Sequence, residues 1–311
     1  MLIIASMMQK NIIVTIDELL EEAQNAPKKL VINKNALSLQ SGAKKSVLRG
    51  RGMEFFESRP YVHQDEIRHI DWKVSAKRAG IFTKVFMEEK ERPVYLIIDQ
   101  RSNMFFGSKV CFKSVLAAKI AANLAFCAIN TKDKLGGFII TDEEEIECPI
   151  KASSTSLAKF LGQIAMATTK ALSIRHAKTQ TNNSFKNIFQ RILLKAHPGC
   201  VVFIISDFWQ FDDDLKPLLF KLKKRATIYA LNITDPLEQS LPSLGIASIA
   251  FDEQKITFDA SNKDLQKSYE NFYQNRIKNL TKLFDSLGII LWNFSTQDDY
   301  KTNLKLGFKA K

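Results

Sequence analysis

Cysteine is scarce: Cys111, Cys127, Cys148 and Cys200 are the four in 311 residues, scattered through apolar stretches. None forms a C-x-x-C pair or has a histidine at ligand spacing, which speaks against a zinc site. They read as buried free thiols of a reducing cytosol. His63 and His69 stand six residues apart without a cysteine neighbour and read as surface or ion-pair residues rather than metal ligands. Long apolar runs are missing as well. Gln9 and Lys10 end the apolar opening at Met1 to Met8, far short of a signal-peptide core, and no segment reaches the roughly 18 apolar residues of a membrane span. The expectation is a soluble cytoplasmic protein with no transmembrane segment, peripheral membrane association being left open. There is no G-x-S-x-G, no G-x-x-x-x-G-K-[ST] phosphate loop, no H-E-x-x-H, no internal repeat and no low-complexity tract.

What is present is a 45% hydrophobic composition, enough to bury a large core, and a formal net charge of +12. Part of the excess lies between residues 28 and 92, interleaved with Phe55, Phe56, Tyr61 and Trp72. Two readings of the excess stand: a well-mixed basic surface that keeps the protein in solution, or a face for a polyanion, whose binding would fall steeply with salt. No nucleic-acid-binding motif supports the second.

Along the chain, Asn11 to Ala26 has apolar residues at one helical face, with Thr15 as a cap, and is expected to pack loosely. An apolar strand candidate and a Ser/Gly/Lys-rich linker occupy Leu30 to Gly52. From Pro93 a regular alternation begins. Strands are expected at Val94–Ile98, Leu135–Ile140, Glu144–Ile150 (an edge strand), Val201–Ile205, Thr227–Leu231, Ile246–Phe251 and Ile289–Trp292. Helices are expected at Ser108–Asn130, Ser154–Ala171 and Asp212–Lys223, and Ser261 opens a long one, in a short capping box with Asp264, that Gly288 stops. Such alternation predicts an α/β fold with a doubly wound, mainly parallel sheet in three Rossmann-like layers. The divisions expected are a helix/strand arm at 1–45, a basic segment at 46–92, the α/β domain at 93–295 and a tail at 296–311.

Two of the apolar strands run into aspartates, Asp99 and Asp207, and parallel strands present their carboxyl ends at one edge, where open sheets bind ligands. Two carboxylates there, with hydroxyl or amide neighbours, suit a hard cation such as Mg²⁺. The first loop reads Asp99-Gln100-Arg101-Ser102-Asn103 and the later one Ser206-Asp207-Phe208. Together these resemble the metal-ion-dependent adhesion site of von Willebrand factor A domains: D-x-S-x-S, a threonine loop and a closing Ser-Asp. The threonine position falls near Asn183. Arg101 stands where the resemblance implies the first ligating serine, and a guanidinium has five donors and no acceptor. It would repel a cation, and its simplest role is to lie against Asp99 or Asp207 and supply the charge from within. The candidate remnant metal set is Asp99, Asn103 and Asp207, impaired by Arg101. Three readings stay open: turn capping or internal pairing only, retained metal binding, or a metal-free loop that docks a partner through Arg101, Ser102 and Asn183.

Upstream, residues 50–61 read G-R-G-M-E-F-F-E-S-R-P-Y and residues 65–77 read D-E-I-R-H-I-D-W-K-V-S-A-K. Read physically, Arg59, Arg68, Lys77 and Arg78 can pair with Glu54, Asp65, Glu66 and Asp71 around Tyr61 and Trp72, a folded ion-pair lattice more than a polyanion groove. Phe55, Phe56 and Trp72 read as core. Asp142 to Glu145 reads as a solvated hairpin, and Asp212 to Asp214 as a helix start. The stretch is similar to the signature of domain-of-unknown-function family 58, departing from it at Gln64, Glu66 and Lys77. Asp235-Pro236-Leu237-Glu238, Leu241-Pro242 and Gly245 look like later landmarks of the same family. The resemblance implies a von Willebrand factor A-like fold and a non-enzymatic adaptor acting with a MoxR-type AAA+ ATPase, and with client proteins, in chaperone-like maturation or stress response. Arg59, Asp65, Glu66, Arg68, Asp71 and Trp72 join the candidate partner surface. No cofactor is expected, magnesium alone being left open. The alternatives are a nucleic-acid-binding basic module and a Mg²⁺-dependent hydrolase built on Asp99, Asp207 and Asp142.

Overall fold

The computed structural model describes residues 11–26, 53–63, 65–88, 91–173, 183–243, 245–251 and 254–309. The expected strand and linker at Leu30 to Gly52 lie outside them. The chain divides into two compact units, one of residues 38–91 and one of residues 1–37 with 92–311.

In chain order, α1 is Ile16–Gln24, β1 Met53–Pro60, α2 Trp72–Ser75, β2 Phe82–Glu88, β3 Pro93–Asp99, α3 Lys113–Asn130, β4 Lys134–Ile140, β5 Glu145–Lys151 and α4 Ser154–Ser173. There follow α5 Ser184–Lys195, β6 Cys200–Ser206, α6 Lys216–Lys223, β7 Ala226–Thr234, α7 Pro236–Gln239, β8 Ile246–Phe251, β9 Gln254–Asp259, α8 Lys263–Ser286, β10 Ile290–Ser295 and α9 Tyr300–Lys309.

The larger unit is built on a six-stranded sheet in the order β10-β7-β6-β3-β4-β5, parallel throughout except for the antiparallel edge strand β5. Alternate strand residues feed two cores, as a pleated strand requires. Val94, Leu96, Ile98, Val201, Phe203 and Ile205 face a layer that includes α1, α3 and α4. Tyr95, Ile97, Val202 and Ile204 face α5, α6 and α8. The result is the expected three-layer, Rossmann-like arrangement. At Gly137 a Cβ would stand 1.9 Å from the Leu96 carbonyl oxygen, so only glycine lets β4 lie this close to β3.

Several local expectations need correction. The first helix packs firmly: Leu19 and Ala23 are buried, and Thr15 and Glu18 form a capping box. Helix α3 starts at Lys113 instead of Ser108, because Ser108 N donates to Asp235 and Lys113 N to the Phe106 carbonyl, which keeps the preceding segment as a loop. The cap of α8 is Asn262, whose Oδ1 accepts from Asp264 N and Leu265 N. Gly288, at φ +58, ends that helix as expected. Ile246–Phe251 does form a strand, but it pairs with β9 in a separate hairpin. Residues 300–309 of the expected tail are helical, with Tyr300 donating to Glu22 at 2.7 Å. The expectations had no helix at α5.

The smaller unit is the antiparallel pair β1–β2, whose connection carries a 3-10 turn, Ile67–His69, and α2. Arg59 bonds Asp65 at 2.5 Å and Arg68 bonds Glu66 at 2.9 Å, two pairs of the expected lattice. Asp71 instead accepts from Ser58 Oγ at 2.8 Å and caps α2 through Val74 N. Trp72 is 68% exposed and Phe55 53%, so neither is the core residue expected from its ring. The side chains of Glu54 and Phe56, and Gln64, lie outside the described residues.

Candidate functional site at the carboxyl edge of the sheet

Strands β3 and β6 are neighbours, yet the chain runs from β3 to β4 and β5 on one side before it returns to β6 on the other. Such a reversal is where open sheets bind ligands, at the carboxyl ends of the strands. Asp99 closes β3 and Asp207 follows β6 directly. Both are buried, at 0% and 1% exposure, so each carboxylate needs a counter-charge or strong donors.

Asp99 has both. Arg101 donates to Oδ1 from Nε at 2.9 Å and to Oδ2 from Nη2 at 2.6 Å, the two-pronged match that a planar guanidinium allows. The Arg101 backbone N and the Ser206 hydroxyl complete the shell at 3.2 and 2.7 Å. The guanidinium also donates to Gln210 Oε1 and lies over the Phe185 ring at 5.1 Å. Burial works against its charge, but the hydrogen bonds and charge of Asp99 outweigh it and raise the Arg101 pKa.

Asp207 has a cation of its own. Lys113, the first residue of α3, is 1% exposed, and its Nζ reaches Asp207 Oδ2 at 2.6 Å and Glu238 Oε1 at 2.5 Å. Burial opposes this charge too; Asp207 and Glu238 win and raise the lysine pKa. The other Asp207 oxygen accepts from Asn103 Nδ2 at 2.7 Å and Trp209 N at 3.1 Å. Burial nonetheless pushes the Asp207 pKa up, opposed by Lys113 and reinforced by Asp99.

Glu238 is aimed by the capping box of α7, in which its Oε2 accepts from Asp235 N at 3.1 Å. Asp235 accepts from Ser108 N, Thr296 Oγ1 and Leu237 N. Burial alone would raise its pKa, but the bonds from Ser108 and Thr296 lower it. On the loop after β4, Asp142, expected in a solvated hairpin, is buried and accepts from Ser102 N at 2.8 Å and Ser102 Oγ at 3.3 Å. Burial raises its pKa in spite of those bonds. Phe208 takes a left-handed backbone, φ +55, which costs about 1 to 2 kcal/mol for a residue with a Cβ. That turn buries its ring against Phe211 and Phe284. Next to it Trp209 stacks on Phe272 and over the Arg276 guanidinium, which also donates to the Asp207 carbonyl.

These donors do not suit Mg²⁺, which demands near-octahedral oxygen ligands. Both carboxylates already touch internal cations. Asn103 turns its amide nitrogen to Asp207, and its buried Oδ1 is without a hydrogen-bond partner. One such oxygen is not a coordination shell.

A family model described as "Protein of unknown function DUF58" matches residues 57–278. The chain belongs to this family. Every rim side chain from Asp99 to Arg276 lies inside the DUF58 match. Uncharacterized proteins of Mycobacterium bovis and of two Mycobacterium tuberculosis strains are each 25% identical over 199 residues, 64% of this chain. The match spans 60% of the length of those relatives. Among solved structures, the conserved hypothetical protein BatB of Bacteroides thetaiotaomicron is similar at TM-score 0.41 and 13% identity, over 70% of this chain and 100% of its own. An aerotolerance-related membrane protein of Bacteroides fragilis is similar at 0.41 and 12%, over 69% and 96%.

Of the residues singled out in this DUF58 chain, Asp99, Arg101, Ser102, Asn103 and Asp207 come to the carboxyl edge of the sheet in three hydrogen-bonded groups: Asp99 with Arg101, Asn103 with Asp207, and Ser102 with Asp142. Arg101 is buried there, while Ser102 is exposed. Asn183 is exposed at the start of α5, two residues before the Phe185 ring that Arg101 faces, and makes no side-chain cap bond. Thr181 and Asn182 lie outside the described residues. Arg59, Asp65, Glu66, Arg68, Asp71 and Trp72 belong to the smaller unit. Sequence reasoning missed Lys113, Gln210 and Arg276, and gave Glu238 no role. The signal for Lys113 was there: a lysine opening a helix that is apolar on all sides has to find an acid inside the protein.

Proposed function

We propose that this DUF58 chain is a non-enzymatic adaptor that docks a MoxR-type AAA+ ATPase on the carboxyl edge of its sheet. In this reading the rim is a von Willebrand factor A-like adhesion site whose cation has become part of the protein. The supporting observation is the two-pronged Arg101–Asp99 pair at 2.6 and 2.9 Å, buried where a metal-dependent relative would need open carboxylate oxygens. A rim whose charge is internal keeps one shape without metal, and Ser102, Asn183 and Trp209 present exposed surface around it. A hydrolase would need Asp99, Asp142 and Asp207 to give up their present donors, and the partner itself is what the family resemblance implies.

Capture of a MoxR-type AAA+ ATPase by the tagged full-length chain, repeated with Ser102→Arg and Trp209→Ala, tests the docking. Expected is capture without added metal, lost in at least one rim variant of unchanged melting temperature. Capture that requires Mg²⁺, or that neither variant weakens, would overturn the assignment.

A further inference from the structure

The smaller unit carries exposed apolar groups concentrated in one stretch of chain. Strands β1 and β2 are joined by residues 61–81, at the opposite end of the hairpin from the Met53–Glu88 pair. Val62, Ile67, Trp72 and Ile81 all lie in that connection, and each is more than half exposed. Single exposed apolar residues are ordinary on a protein surface; four within twenty positions of one connection are a concentration that calls for a reason.

The connection holds a defined shape. Tyr61 N donates to the Ile81 carbonyl and Asp71 N to the Phe82 carbonyl, both at 2.8 Å, and Phe82 N to Ser75 Oγ at 2.8 Å. Its three acids are all engaged. Asp65 is taken by Arg59 and by Val62 N, Glu66 by Arg68, and Asp71 by Ser58 and Val74 N. Lys73 and Lys77 are exposed, and among the described residues no carboxylate pairs with either. Arg78, exposed beside them, leans on the Phe82 ring at 5.6 Å.

We propose that residues 61–81 dock on an anionic phospholipid surface. Trp72, Ile67 and Ile81 would enter the headgroup layer while Lys73, Lys77 and Arg78 lie on lipid phosphates. Charge complementarity sets the sign of the partner. The apolar groups come from a loop, a 3-10 turn, the start of a short helix and the residue before a strand, so they are not one face of a helix or strand. A bilayer accepts such groups without a matching surface, tryptophan favours its interface, and one weak apolar anchor combined with a basic cluster is the pairing that peripheral attachment needs.

The test is sedimentation of the full-length chain with vesicles of phosphatidylcholine and phosphatidylglycerol, against phosphatidylcholine alone, at low and high salt. Binding is expected only with the anionic vesicles and should fall with salt. Each lysine near such a surface is worth about fivefold, so Lys73→Glu with Lys77→Glu should weaken partitioning by about 25-fold or more. Trp72→Ser should weaken it by about tenfold and remove quenching by brominated lipid, without lowering the melting temperature of a side chain this exposed. The same charge change at Lys263 and Lys267, exposed on α8, should alter it by no more than about twofold. No binding to anionic vesicles at low salt, equal binding to neutral ones, or equal loss in the α8 control would overturn the proposal. So would a Trp72→Ser variant that keeps vesicle binding and instead loses the ATPase, which would make the patch a protein surface.

Discussion

Lys113→Met keeps the length of the side chain and removes its charge, leaving Asp207 Oδ2 and Glu238 Oε1 without the cation both now touch. Breaking a buried ion pair from one side costs about 3 to 5 kcal/mol, because the partner charge stays behind unpaired. Glu238 is 11% exposed and keeps some access to water, and Asp207 retains its bonds from Asn103 and Trp209, so the lower end applies, about 3 kcal/mol. For a unit of this size that is a melting-temperature loss of about 6 to 12 °C.

The loss should depend on pH, and its sign follows from Asp207. Burial raises this carboxyl above 3.8, Lys113 opposes the shift and Asp99 adds to it. A carboxyl with a raised folded pKa contributes stability in acid that is lost as pH rises through that pKa. Removing Lys113 takes away the opposing charge and drives the pKa higher. The deficit of the variant should therefore be small in acid and widen toward neutral pH. Urea midpoints of both proteins, followed from acid to neutral pH, read this directly. Adding Asp207→Asn to the variant should recover part of the loss at neutral pH, since no unpaired aspartate then remains. A deficit under about 1 kcal/mol, or one equal at every pH, would refute the claim that Lys113 is a structural counter-charge.

Asp235→Ala removes three acceptor bonds and the cap of α7 and should cost about 2 to 3 kcal/mol in urea unfolding. Although burial alone would raise it, Asp235 has a lowered pKa through Ser108 and Thr296, so its contribution is present above pH 3.8 and is lost as pH falls through the folded value; wild type and variant should converge in acid. Gly137→Ala would drive a Cβ into the Leu96 carbonyl and should cost about 3 kcal/mol or more, seen as a lower urea midpoint or loss of soluble protein. Tyr300→Phe should cost about 1 kcal/mol through its bonds to Glu22 and Asn123, and no change in midpoint would show that α9 does not fasten α1 to the unit. Added Mg²⁺ should leave the melting temperature within about 1 °C, whereas a larger rise abolished by Asp99→Ala would overturn the reading of Arg101 and Lys113 as replacement cations.

The sheet was legible because burial on both faces writes itself as unbroken apolar runs. Val94–Ile98 and Val201–Ile205 were placed to within one or two residues of β3 and β6 for that reason. What single-strand patterns do not carry is pairing, so Ile246–Phe251 read like another member of the sheet although its partner is the hairpin strand β9. Arg101 could be read because its meaning is local: it sits two residues from the carboxylate it neutralises. Lys113 acts on Asp207 and Glu238 across 94 and 125 positions. No acid stands near it in sequence, so nothing nearby announces the ones it meets. In the smaller unit the error went the other way. A ring beside charges suggested core, but Asp65 is held by Arg59, Glu66 by Arg68 and Asp71 by Ser58, and Trp72 stays exposed. A rim with two internal cations, one local and one distant, is thus half visible in the chain. The distant half is the more diagnostic, because removing the Arg101 charge alone would still leave Asp207 occupied by Lys113.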